Sequence, residues 1–87
     1  MNNKDTLICK VDLFDLEQQI YSVTSEGQKQ IASVPLDRLA ETMGSLAFMQ
    51  KINCIHLFGN EGYLSDIVES IKTNYNYGND NMEIEVN

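Results

Sequence analysis

Gly59-Asn60-Glu61-Gly62 is the stretch of this chain where residue type and spacing most invite chemistry. It separates a short apolar run, Cys54-Ile55-His56-Leu57-Phe58, from a helical pattern that continues to Ile71. Backbone N–H groups at a helix start lack intrahelical partners and carry partial positive charge. Such a turn can therefore hold a phosphate or nucleotide without any basic side chain. Two features argue for a simpler use. Asn60 is a good N-cap, and Glu61, with Asp66 a turn further on, already sets negative charge against the helix dipole. A single Gly-x-x-Gly turn is a weak motif. A capped turn is its plain reading and a ligand site the alternative.

His56 is the single histidine and lies just before that turn. Acid–base work by histidine needs a carboxylate or nucleophile within hydrogen-bond reach. Asp12, on the strand expected to lie beside it, is the available partner. No Gly-x-Ser-x-Gly elbow supplies an activated serine, so a surface His–Asp pair is expected and no catalytic residue is assigned. Cys9 and Cys54 stand far apart without Cys-x-x-Cys spacing, which makes no metal site. Free, buried, reduced thiols are expected of them, in keeping with the cytoplasm. No cofactor is implied.

The elements that position these residues follow from periodicity. Residues 7–14 alternate, with Leu7, Cys9, Val11 and Leu13 on one side and Ile8, Lys10, Asp12 and Phe14 on the other, which predicts a half-exposed strand. Residues 18–24 are rich in β-branched and aromatic types and predict a second strand. The turn signal Ser25-Glu26-Gly27 leads to a third over 29–34. Pro35 opens a helix whose apolar stripe is Leu36, Leu39, Ala40, Met43, Leu46 and Ala47. Gly44 interrupts it, which close packing on the sheet would explain, and Phe48 lies off the stripe and needs another neighbour. Residues 54–58 form the fourth strand. Leu64, Ile67, Val68, Ile71 and Tyr75 line one face of a second helix. A last strand, 82–86, points Met82, Ile84 and Val86 inward and Glu83 and Glu85 outward.

The order is βββαβαβ. A meander followed by two right-handed crossovers puts both helices on one face of the sheet. The expected fold is an α/β open-faced two-layer sandwich with a mixed sheet ordered 3-2-1-4-5, strand 2 antiparallel to the rest. Its open face should carry Lys10, Asp12, His56, Glu83 and Glu85, with Phe14 and Phe58 near the strand ends. Residues 1–87 read as one domain, with 1–5 as a tail and 74–81 as a polar loop. A chain of this size buries only about 60–65% of its unfolded surface, so its core is modest.

Thirteen acidic residues against six basic ones give a net charge of −7. Lys4, Lys10, Lys29, Arg38, Lys51 and Lys72 are scattered, so no basic stripe tracks a phosphate backbone, and direct nucleic-acid binding is disfavoured. An acidic surface suits a basic partner, or serves solubility alone. No apolar run is long enough to span a membrane, and Met1–Thr6 lacks the apolar core of a signal peptide. The cytoplasm is the expected compartment.

This topology resembles the core of ribonuclease H-like folds, which include nucleases and actin-like ATPases. Ile55-His56-Leu57-Phe58-Gly59-Asn60-Glu61-Gly62-Tyr63-Leu64 is similar to the strand–Gly–Gly–helix turn with which actin-like proteins approach a nucleotide, Asn60 replacing the second glycine. The nuclease resemblance implies Mg²⁺ ligands from the first strand, first helix, fourth strand and a final helix. Asp12 and Glu41 match two of these and Asn60 or Glu61 a third, while the final helix is missing. Residues 11–21, Val-Asp-Leu-Phe-Asp-Leu-Glu-Gln-Gln-Ile-Tyr, and residues 56–60, His-Leu-Phe-Gly-Asn, also resemble stretches in short phage proteins of gut Firmicutes. That likeness implies a phage or mobile-element accessory protein.

Three functions follow in order of expectation. The first is a non-enzymatic interaction module, dimeric, that binds or inhibits a host protein. A basic, nucleic-acid-handling protein is the expected partner. Asp12, His56, Tyr63, Tyr75, Tyr77, Glu83 and Glu85 are its expected contact residues, since tyrosines are enriched at contact hot spots and the open face and sheet edges suit pairing. The second is a nucleotide or phosphate binder using Gly59, Asn60, Glu61 and Gly62. The third is a degenerate nuclease.

Overall fold

The computed structural model describes residues 4–87, so residues 1–3 of the expected tail, and that half of the Met1–Thr6 stretch, lie outside the described residues. Five strands and two helices follow in the order β1 (Thr6–Lys10), β2 (Gln18–Thr24), β3 (Gly27–Val34), α1 (Leu39–Gln50), β4 (Cys54–Phe58), α2 (Glu61–Asn74) and β5 (Glu83–Val86), with a 3-10 turn at Leu36–Arg38 before α1. The sheet is ordered β3-β2-β1-β4-β5. β2 runs antiparallel to both β1 and β3, while β1, β4 and β5 are mutually parallel. This is the expected α/β architecture.

The inward side chains make a single core. Leu7 and Cys9 of β1, Ile20 of β2 and Ile55 and Leu57 of β4 are buried against Leu39, Met43 and Ala47 of α1 and Leu64 and Ile71 of α2. These are the expected helix stripes, with Leu36, Ala40, Leu46, Ile67 and Val68 half-buried at their margins. The period of two on the strands and of 3.6 on the helices thus sends the same apolar set to one interface. Both helices leave the opposite sheet face uncovered. Its central row, fixed by register, runs Tyr21, Ile8, His56, Glu85.

Gly44 answers to the other helix rather than to the sheet. A methyl there would overlap the backbone carbonyl and Cβ of Tyr75, which ends α2. Its lack of a side chain lets the two helices close on each other. Phe48 finds its neighbour in Tyr77, ring centroids 5.3 Å apart.

β1 is shorter than its sequence pattern. The alternation through Phe14 predicts a strand over 7–14, yet the ladder stops at Lys10. Leu13, expected inward, is 52% exposed, and Phe14, expected on the open face, is 96% exposed. The reason is local hydrogen bonding. The Asp12 carboxylate accepts from the Phe14 N–H at 2.9 Å, and the Asp15 N–H donates to the Asp12 carbonyl at 3.1 Å, folding the chain into a turn. Side chains of Asp compete with strand ladders in this way. At the other edge, β3 starts two residues earlier than expected and carries a bulge, with Ile31 unpaired between Ala32↔Ile20 and Gln30↔Tyr21.

Candidate functional site

β1, β4 and β5 end on one side of the sheet, where the loop 11–17, the turn 59–62 and the start of α2 meet. The turn is built as a cap. The Asn60 side chain accepts from the Gly62 N–H at 2.8 Å, as its residue type predicts. The Gly59 N–H donates to the Asn87 carbonyl at 2.8 Å, prolonging the pairing of β5 with β4. Gly59 has φ +150°, and a Cβ there would lie 3.1 Å from the Val11 carbonyl oxygen and 3.2 Å from the Tyr63 hydroxyl. Its glycine character therefore serves a close strand-to-loop approach. Of the amides available to a ligand in Gly59–Gly62, two are already paired within the chain, and Glu61 sets its carboxylate beside them.

His56 does not meet Asp12. Register places Ile8 and Glu85 beside it, while Asp12 lies beyond the end of β1. The histidine is held by β5 instead. Its Nε2 lies 2.6 Å from the Asn87 side-chain amide, its Nδ1 is 3.7 Å from Glu85, and its ring stacks on Phe58 with centroids 4.2 Å apart. The expected His–Asp pair is replaced by a half-buried packing residue of the open face. Glu83 is also engaged. Both of its carboxylate oxygens accept from the Lys4 ammonium, at 2.5 and 2.7 Å, which raises the Lys4 pKa. Cys9 is fully buried, and burial pushes its thiol up to about 12. Cys54, expected to be buried like it, is only half-buried, at the N-terminal end of β4 on the open face. Among the described residues, no three His, Cys, Asp or Glu side chains gather as a metal site, so Asp12, Glu41 and Glu61 do not converge.

The tyrosines belong to the helical layer and not to the face that carries His56, Glu83 and Glu85. The Tyr63 hydroxyl donates to the Val11 carbonyl at 3.3 Å. Tyr75 caps α2 against Gly44. Tyr77 sits at the opposite end of the molecule from the 59–62 turn, its hydroxyl 3.0 Å from Ser45 Oγ. The expected contact residues therefore fall on three separate surfaces.

The loop 11–17 is the feature that sequence reasoning missed. Phe14 and Leu16 are 96% and 93% exposed, and Leu13 stands beside them. Loops that offer three large apolar side chains to water are usually loose, but this one is clamped. Gln18 is 1% exposed, its Oε1 accepts from the Asp12 N–H at 2.9 Å, and its Nε2 donates to the Asp12 carbonyl at 2.8 Å. Glu17 is fixed to Ser33 by a 2.7 Å hydrogen bond. The outcome is a hydrogen-bonded, acid-flanked apolar tip, with Asp12, Asp15 and Glu17 around Leu13, Phe14 and Leu16. The signal was legible in part: two aspartates three residues apart favour a turn, and a buried glutamine opening β2 needs polar partners. The even alternation of apolar residues concealed it.

No helix among the described residues is long and apolar enough to cross a membrane. No protein-family model matches the chain, and a search of the curated proteins finds no match.

Proposed function

We propose that this protein is a small, acidic, non-enzymatic interaction module that acts in the cytoplasm. It binds a host protein through the loop 11–17, as an accessory protein of a phage or mobile element. The observation that supports this reading most is the exposure of Phe14 and Leu16 on a loop held by the buried Gln18. Exposed apolar anchors cost solubility, and a monomer rarely keeps them without a use. Fixing them before contact removes ordering entropy from the cost of binding, and contact energy concentrates in a few such anchors. The carboxylates of Asp12, Asp15 and Glu17 select a partner whose apolar pocket is rimmed by lysine or arginine. A host protein that handles nucleic acid offers that chemistry. A second copy of the chain is the competing occupant. The nucleotide reading lacks comparable support, since the Gly59 and Gly62 amides have partners in the chain.

The test is affinity capture from host lysate by the wild type and by a Phe14→Ser/Leu16→Ser variant. The variant should fold as the wild type does, because neither side chain is packed, and should lose the partner. A partner captured equally by both proteins would contradict the reading. Recovery of the chain alone, as a dimer abolished in the variant, would replace the host partner with a second copy.

A further inference from the structure

Among the described residues no strand pairs with the outer edge of β5, which faces a groove of about 880 Å³ that runs along α2 and is lined by Ser65, Val68, Glu69, Lys72 and Val86. β5 is the terminal strand of the sheet. The N–H groups of Glu83 and Asn87 donate toward β4, to the carbonyls of Asn53 and Leu57. In a parallel ladder the alternate residues turn their backbone groups the other way, so the N–H and C=O of Ile84 and Val86 point to the open edge. Here the fold leaves a strand-sized vacancy with its hydrogen-bonding template in place.

We propose that this edge accepts an extended peptide as a sixth strand, and that the peptide alternates basic with apolar residues. The alternation follows from the two sides of β5. Ile84 and Val86 face the helical layer, so side chains of an added strand on that side enter the groove beside Val68. Glu83 and Glu85 face the open side, so side chains of the other parity lie across from carboxylates. Cross-strand neighbours of opposite charge stabilise a pair and like charges oppose it. Lys4 already shows how an ammonium seats there, bridging both oxygens of Glu83. Among the described residues, Glu85 meets only His56 Nδ1, at 3.7 Å, and no lysine or arginine bridges it as Lys4 bridges Glu83, so it is the position for the peptide's own cation. Glu61 and Glu69 add negative charge at the groove, which Lys72 offsets in part. The same charges disfavour pairing of β5 with β5 of a second copy, because glutamates would then oppose glutamates. This site is separate from the loop 11–17 and does not rest on the reading given to it; a module with both would bridge two partners.

The test is an NMR titration of the full chain with a short synthetic peptide in which lysine and valine alternate. Controls are the same peptide with glutamate for lysine and one interrupted by proline. Shifts should concentrate on the amides of Ile84, Val86 and Val68, and the two control peptides should not bind. Glu85→Lys should weaken binding by about tenfold or more at low salt, as a favourable cross-strand pair becomes repulsive. Val86→Pro removes one outward N–H and should weaken binding at any salt. Phe14→Ser/Leu16→Ser should bind the peptide as the wild type does, which separates this site from the loop. Shifts spread over the open face or the loop, equal binding of the glutamate peptide, or no saturable binding would each overturn the proposal.

Discussion

Gly44 and Cys9 show at the scale of single residues what the helix–sheet interface demands. An alanine at 44 gains helix propensity worth up to about 1 kcal/mol, but its methyl falls on the Tyr75 carbonyl and Cβ. Backbone cannot rotate away, and overpacking of this kind costs about 1–3 kcal/mol. Gly44→Ala should therefore lower the midpoint of thermal unfolding, followed by circular dichroism; an unchanged or higher midpoint would show that the helices separate freely. Cys9 makes a prediction in pH. Its folded pKa is about 12, against 9.0 for the free thiol, because burial penalises the thiolate. The folded state then holds the proton more tightly than the unfolded state between these values. Its contribution to stability is complete below about pH 9 and is lost as pH rises toward 12. Alkaline unfolding in that window should be less steep in Cys9→Ala after allowance for the lost packing. A thiol reagent should modify Cys54 first and reach Cys9 only on unfolding.

Elements differ in how far the sequence revealed them. β2, β4, α2 and its Asn60 cap follow directly from pattern and residue type, and so does the strand order, because the crossover rule leaves few alternatives. β1 does not. The apolar alternation from Leu7 to Phe14 is the same on the page whether its last four residues extend a strand or form a turn. What decides is the buried side chain of Gln18, six residues on from Asp12, which binds both backbone groups of Asp12. The His56–Asp12 pairing failed for the same reason, since it assumed a strand long enough to carry Asp12. The role of Gln18 yields its own prediction. Gln18→Leu leaves the Asp12 N–H without its partner and its carbonyl with the Asp15 N–H alone, at a cost of about 1–3 kcal/mol. Amide hydrogen exchange should accelerate over residues 12–16 beyond the rise expected from lower global stability. A loop equally protected in the variant would mean that the clamp is not what orders it.

Across the whole molecule, charge and apolar exposure are unevenly placed. The end where β1, β4 and β5 finish carries Asp12, Asp15, Glu17, Asp37 and Glu61, and of the nearby bases Arg38 is occupied with Glu41 at 3.3 Å. The exposed Phe14 and Leu16 stand at this acidic end. A second exposed group, Phe48, Met49 and Tyr77, lies at the opposite end beside Lys51. A net charge of −7 favours encounter with basic over acidic surfaces, and such an attraction falls as salt rises. The measurement that bears most directly on the interaction reading is photo-crosslinking from position 14, with a benzoyl-phenylalanine in place of Phe14, in host lysate at low and high salt. The account predicts one dominant protein adduct that weakens with salt and disappears when Leu16→Ser is added. An adduct indifferent to Leu16 and to salt, or none at all, would contradict it.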